Sequence, residues 1–111
     1  MFGISERKIE AWGKKKKTAK LIKVLTHSKN ELRAAAAKAL GEIDSLESAN
    51  ALITALRDPD ARVRLNAVIS LGKIQSPLAI EHLKSVTKND SDPAVREEAA
   101  KVLGIIPRDD R

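Results

Sequence analysis

Few residues in this chain are suited to chemistry. The only histidines are His27 and His82, and there is no cysteine, which excludes thiol catalysis, disulfides and cysteine-based zinc sites. Neither histidine falls in a metal-binding spacing such as H-E-x-x-H, where one helical face must offer two imidazoles beside a carboxylate. His82 has one acidic neighbour, Glu81, in the order Glu-His. No glycine-rich phosphate loop is present, and no Ser/His/Asp order suggests a nucleophile. On these residues the expectation is no catalytic residue, no cofactor, no metal and no enzyme.

The sharpest local feature is a run of charge. Lys14, Lys15, Lys16 and Lys17 are followed by Lys20 and Lys23 and preceded by Trp12. Residues 1–30 hold nine Lys/Arg against Glu6 and Glu10, whereas the rest of the chain is nearly neutral within a net charge of +6. Such a stretch suits a nucleic acid or another polyanion, bound weakly and without regard to sequence, because a near-neutral body offers little to read base edges. Trp12 then either stacks on a base or covers the apolar face of the first helices.

These residues must be positioned by something, and the chain repeats itself. Leu40-Gly41-Glu42-Ile43 returns as Leu71-Gly72-Lys73-Ile74 and again as Leu103-Gly104-Ile105-Ile106. The same offsets relate Arg33, Arg64 and Arg96, and also Ala36, Ala67 and Ala99. Apolar residues fall at three- and four-residue spacings in both halves of each unit, so each unit predicts a pair of helices. Strand-like alternation is absent, and Pro59, Pro77, Pro93 and Pro107 lie between or beyond the stripes. Ser76-Pro77 and Asp92-Pro93 read as helix starts, with Thr18, Ser48 and Asp60 as further caps. A glycine inside a helix costs about 1 kcal/mol relative to alanine, so its return in every unit implies a close backbone approach or a bent or ended last turn.

A helical pair cannot bury both its faces alone, so three pairs stack into a curved array. The expected fold is all-α: a right-handed solenoid of three helical hairpins (18–47, 48–75 and 76–106), preceded by a short capping helix and basic loop (1–17) and followed by a tail (107–111). The cap is expected over Ser5–Trp12, ended by Gly13. No apolar run approaches the ~20 residues of a membrane span, and Met1–Glu10 lacks a signal-peptide stretch. A cytoplasmic protein without membrane contact is the expectation.

The pattern Asp58-Pro-Asp-Ala-Arg-Val-Arg64, then Ala67, then Leu71-Gly72-Lys73-Ile74, resembles the short prokaryotic HEAT-like repeat, a type also found in phycobilisome lyases. The resemblance covers Thr18–Ile106. It implies a ladder in which an Asp of the intra-unit turn pairs with an Arg six residues on, as Asp58/Arg64 and Asp90/Arg96 are spaced. The first unit departs, with His27 six residues before Arg33, so that its rung is expected to be weak or missing. HEAT-repeat deoxyhypusine hydroxylases resemble this fold and hold iron with His-Glu pairs. Here a single pair stands in reversed order, and the two histidines read as ordinary surface or turn residues.

The second helix of each unit lines the inner surface of such arrays. There the middle unit places Leu65 and Ile69, one helical turn apart, where its neighbours carry Ala34/Lys38 and Glu97/Lys101. Ringed by Lys38, Arg62, Lys73, Glu97 and Lys101, the two aliphatics have the anatomy of a contact patch. The expected function is therefore a non-catalytic protein-binding module or small scaffold whose partner carries an acidic segment. Polyanion binding and an accessory role beside an enzyme such as a bilin lyase are the alternatives. Self-association through an uncapped third unit, where Ile105 is apolar, is a further expectation.

Overall fold

In the computed structural model, which describes residues 3–107, every regular element is helical. The helices are α1 (Glu6–Lys14), α2 (Thr18–Val24), α3 (Asn30–Leu40), α4 (Leu46–Ala55), α5 (Ala61–Ile74), α6 (Ile80–Asn89) and α7 (Pro93–Leu103). A 3-10 turn, Pro77–Ala79, leads into α6. Helices α1, α3, α5 and α7 stack side by side as one layer, and α2, α4 and α6 cover them from the other side. The result is a slab 52 × 29 × 16 Å, the all-α solenoid expected. Beyond Pro107 the expected tail lies outside the described residues.

The core is aliphatic and continuous. Leu21, Leu40, Leu52, Leu71 and Leu83, one from each of α2 to α6, are fully buried, and Val63, Val68 and Val95 join them. Two of the expected caps form. Asp60 accepts from the Arg62 and Val63 N–H groups at the start of α5, and Asp92 does the same for Ala94 and Val95 in α7. Others shift: Ser45, not Ser48, caps α4, Ser76 makes no side-chain cap, and Lys17 precedes α2 without one. Ser48 is instead fully buried, its hydroxyl donating to the Leu40 carbonyl at 2.7 Å.

The repeated glycine is explained by close approach. A Cβ on Gly41 would lie 2.6 Å from Ser70 Oγ, and one on Gly72 would lie 2.9 Å from Val102 Cγ2. Gly13 belongs to the same series, since its Cβ would meet Ala39 Cβ at 3.0 Å. It is buried inside α1 and does not end the helix, which continues to Lys14. Helix α1 thus packs on α3 in the same layer, as α3 packs on α5.

Candidate functional site

The inner layer encloses a groove of ≈ 490 Å³ between α1, α3 and α5. Its floor is Ala34, Ala35 and Ala39, a run of small side chains that leaves room between the helices. Glu6, Glu10 and Glu31 line the groove together with the cations Arg7, Lys14, Lys38 and Arg62. Aligning the glycines shows why: Glu6 and Glu10 of α1 occupy the positions of Ala34 and Lys38 in α3 and of Leu65 and Ile69 in α5. One inward-facing column therefore runs through all four helices. Asn66 closes the far side, donating to the Ala34 carbonyl at 2.9 Å. At the mouth, Lys73 binds Glu42 at 2.7 Å and holds its carboxyl below the usual range, with the Lys14 and Lys16 charges adding to the effect.

These glutamates escaped the sequence reading. The signal was present in the register of Gly13 with Gly41, hidden because a lysine run follows Gly13 in place of the apolar end of the repeat. The expected patch is divided by the structure. Ile69 is 39% exposed, whereas Leu65 is half-buried against the core. Lys38, Arg62, Lys73, Glu97 and Lys101 are exposed, but Lys73 is paired with Glu42, and Lys101 approaches Glu98 at 3.9 Å.

All six lysines of the basic stretch, Lys14, Lys15, Lys16, Lys17, Lys20 and Lys23, are exposed. Lys16 adopts a left-handed backbone with φ 54°, at the sharp turn between α1 and α2. The Trp12 ring is half-buried and carries Lys8 and Lys20 ammonium groups at 5.7 and 5.3 Å from its centroid. Its faces are already in use by these contacts and by the core, which favours the covering role over base stacking.

The ladder forms in a different register from the one the spacing suggested. Arg33 Nε and Nη2 donate to Asp58 of the next unit at 2.9 and 3.2 Å, and Arg64 does the same to Asp90 at 2.9 and 3.1 Å. The residue six positions earlier contributes only its backbone carbonyl: Arg33, Arg64 and Arg96 donate through Nη1 to the carbonyls of His27, Asp58 and Asp90. The first unit's rung is therefore intact, contrary to expectation, since a backbone carbonyl is indifferent to the side chain. His27 also replaces the aspartate locally. Its Nδ1 accepts from Lys29 N–H at 3.0 Å, as Asp58 and Asp90 accept from Asp60 and Asp92 N–H at 2.9 Å.

Neither histidine meets the demands of an iron centre held by His-Glu pairs. His27 Nδ1 is engaged in its turn, Glu81 is paired with Lys84 at 3.1 Å, and His82 lies on the outer layer near Ser85 and Asn89. Among the described residues no three His, Asp or Glu side chains converge as a metal would need. The donor set of the described residues does not fit the metal.

The sequence model of a family described as HEAT repeats matches residues 18–109. Among curated proteins, the chain is 38% identical over 72 residues to a protein named deoxyhypusine hydroxylase from Eremothecium gossypii, a match covering 64% of this chain and 22% of the relative. It is 36% identical over 67 residues to one of the same name from Neurospora crassa, covering 60% of this chain and 21% of that protein. The chain thus spans about a fifth of the length of these curated relatives. Both are fungal, so they lend no support to a specifically prokaryotic type or to a phycobilisome lyase. They also correct the expectation of a non-catalytic scaffold and of no enzyme, because both bear the name of an enzyme.

Proposed function

The chain belongs to the HEAT-repeat family, and from that premise we propose that it is the substrate-holding segment of a hydroxylase of the deoxyhypusine type. The likeness to two deoxyhypusine hydroxylases carries the reading. The groove supports it. Deoxyhypusine is a lysine lengthened by an aminoalkyl arm, and its ammonium groups suit the Glu6, Glu10 and Glu31 carboxylates while its methylenes lie on the Ala34, Ala35 and Ala39 floor. The polypeptide bearing that residue runs on past Ile69 towards the third unit. Oxidation is assigned to none of this chain's histidines, whose placement does not suit iron. A cytoplasmic site of action belongs to the same proposal.

Isothermal titration of the 111-residue chain at low salt, with a peptide containing deoxyhypusine and the same peptide containing lysine, tests it. The deoxyhypusine peptide should bind several-fold tighter, and Glu10→Gln with Glu31→Gln should abolish the difference. Equal affinity for the two peptides overturns the reading.

A second reading has its own observation, the exposure of all six lysines between Lys14 and Lys23. We propose that this stretch gives the chain weak contact with a nucleic acid or other polyanion. Binding should fall steeply with salt, with a log–log slope that shrinks when Lys14–Lys17 become Gln. An unchanged slope removes the idea.

A further inference from the structure

The outer layer carries two grooves of one construction. The first, of ≈ 400 Å³, lies between α2 and α4, with Ile22, Leu25 and Thr26 on one wall and Ala51, Thr54 and Ala55 on the other. The second lies between α4 and α6 and holds only ≈ 200 Å³. Its walls are the same positions 31 residues on: Ile53, Leu56 and Arg57, then His82, Ser85 and Val86. Where α6 carries His82 and Val86, α4 carries Ala51 and Ala55, so the first groove stays open over an apolar bed.

Nothing in that bed asks for a polar partner. The Thr26 hydroxyl donates to the Lys23 carbonyl at 2.8 Å and the Thr54 hydroxyl to the Asn50 carbonyl at 3.2 Å, each on its own helix. Arg57 and Asp58 stand at the end of the groove. The Asp58 carboxylate is committed, since Arg33 forks it and the Asp60 N–H donates to it. Arg57 is exposed and has no ion-pair partner among the described residues. An apolar trough therefore ends in one uncommitted positive charge.

We propose that the α2–α4 groove binds an aliphatic carboxylate, its alkyl chain along Ile22, Leu25, Ala51 and Ala55 and its carboxylate on the Arg57 guanidinium. An apolar lining with a single charged group at one end selects that class. Ala51 and Arg57 are six residues apart, about 9 Å along a helix. A chain of roughly eight carbons spans that distance with C–C bonds of about 1.5 Å. A peptide is a poorer occupant, because its amides would find no free donor or acceptor in the bed. The inference does not rest on the hydroxylase reading, whose groove lies in the other layer between α1, α3 and α5.

The test is to titrate the ¹⁵N-labelled 111-residue chain with octanoate and follow its amide shifts by NMR. The Ile22, Leu25, Ala51, Ala55 and Arg57 amides should move together and saturate, while octanol or acetate at the same concentrations moves them little. Arg57→Gln, at an exposed position, should weaken octanoate by up to about fivefold, the worth of an exposed ion pair. Ala51→His with Ala55→Val copies the wall of the second groove. It should keep the helix content of the parent and lose the saturable shifts. Should that variant unfold, Arg57→Gln still decides, because an unchanged octanoate affinity overturns the proposal. Equal responses to octanoate and octanol overturn it too, as do shifts confined to residues 14–20, which would leave only the lysine run as an anion site. A Gly-Gly-Val-Leu peptide that binds the groove tighter than octanoate would give it to a polypeptide terminus, and so also refutes the assignment.

Discussion

Replacing Arg33, Arg64 and Arg96 by glutamine, one at a time, distinguishes the two registers in which the arginine ladder can be drawn. If each arginine paired with the aspartate six residues before it, Arg64 and Arg96 would matter most and Arg33 least. The observed contacts reverse the order of the ends. Arg33 and Arg64 each make a two-pronged bond to the next unit, with the partners' side chains only 15% and 10% exposed in one rung and 12% and 5% in the other. All three arginines also bond the carbonyl six positions back, a contribution that cancels in the comparison. Arg33 and Arg64 add a longer, exposed bond to the Ser28 and Pro59 carbonyls at 3.2 and 3.1 Å, so that what remains is chiefly the fork. Its loss strands a mostly buried carboxylate, although Asp58 and Asp90 each keep one backbone N–H. Removing one partner of a fully buried pair costs about 3–5 kcal/mol, and an exposed pair contributes about 0–1. At these exposures Arg33→Gln and Arg64→Gln should each cost about 2 kcal/mol more than Arg96→Gln. For a domain of this size that is a Tm difference of roughly 9 °C. Urea unfolding followed by circular dichroism at 25 °C measures it directly, and an Arg33→Gln/Asp58→Asn cycle isolates the coupling. If Arg96→Gln proves as costly as Arg64→Gln while Arg33→Gln is harmless, the cross-unit register is wrong.

The other expectations concern the core, the junctions and acid. Leu71→Ala, at a fully buried position of the middle unit, should cost about 2–5 kcal/mol in urea unfolding. Gly41→Ala should destabilise by about 1–3 kcal/mol despite the better helix propensity of alanine, because its methyl falls 2.6 Å from Ser70 Oγ; a stabilised variant would show that the junction is loose. The Asp60 carboxyl is held below its usual value chiefly by the Arg62 N–H, with Asn30 and Val63 N–H donors helping. A lowered folded value means that its contribution is complete above the ordinary carboxylate range and is lost as pH falls through that lowered value. Melting temperature should therefore drop on acidification below about pH 4, and Asp60→Asn, which can still cap α5, should make the drop shallower.

The repeat, the helices and the glycine series were legible because each is enforced locally. A helix needs its apolar stripe at fixed spacing, and a close junction needs a glycine or a small partner at the same place every time. Contacts between units were not legible in the same way. An arginine and an aspartate six residues apart look paired in the sequence, yet their turn brings only the backbone carbonyl within reach, and the carboxylate 25 or 26 residues on takes the fork. Leu65 was similarly ambiguous, because half-burial depends on how closely α3 and α5 approach. The enzyme reading was hidden for a different reason. Neither histidine stands where a metal would need it, so the resemblance to HEAT-repeat hydroxylases points to no residue of this chain, and it is the two relatives that carry the reading.

The same close packing that demands the glycines creates the groove. For α1 and α3 to approach until Gly13 touches Ala39, and for α5 to place Asn66 on the Ala34 carbonyl, α3 must present small side chains along this face. Alanine fulfils that need without loss of helix propensity, and Ala34, Ala35 and Ala39 are the outcome. Short side chains between long ones leave a recess. Its walls are set by what the flanking helices carry at the corresponding positions: glutamates from α1 on one side, Arg62 and Asn66 from α5 on the other. Because α1 is a full member of the layer, Glu6 and Glu10 are carried to the edge of an apolar floor, where a long cationic side chain finds carboxylates for its ammonium groups and methyls for its stem.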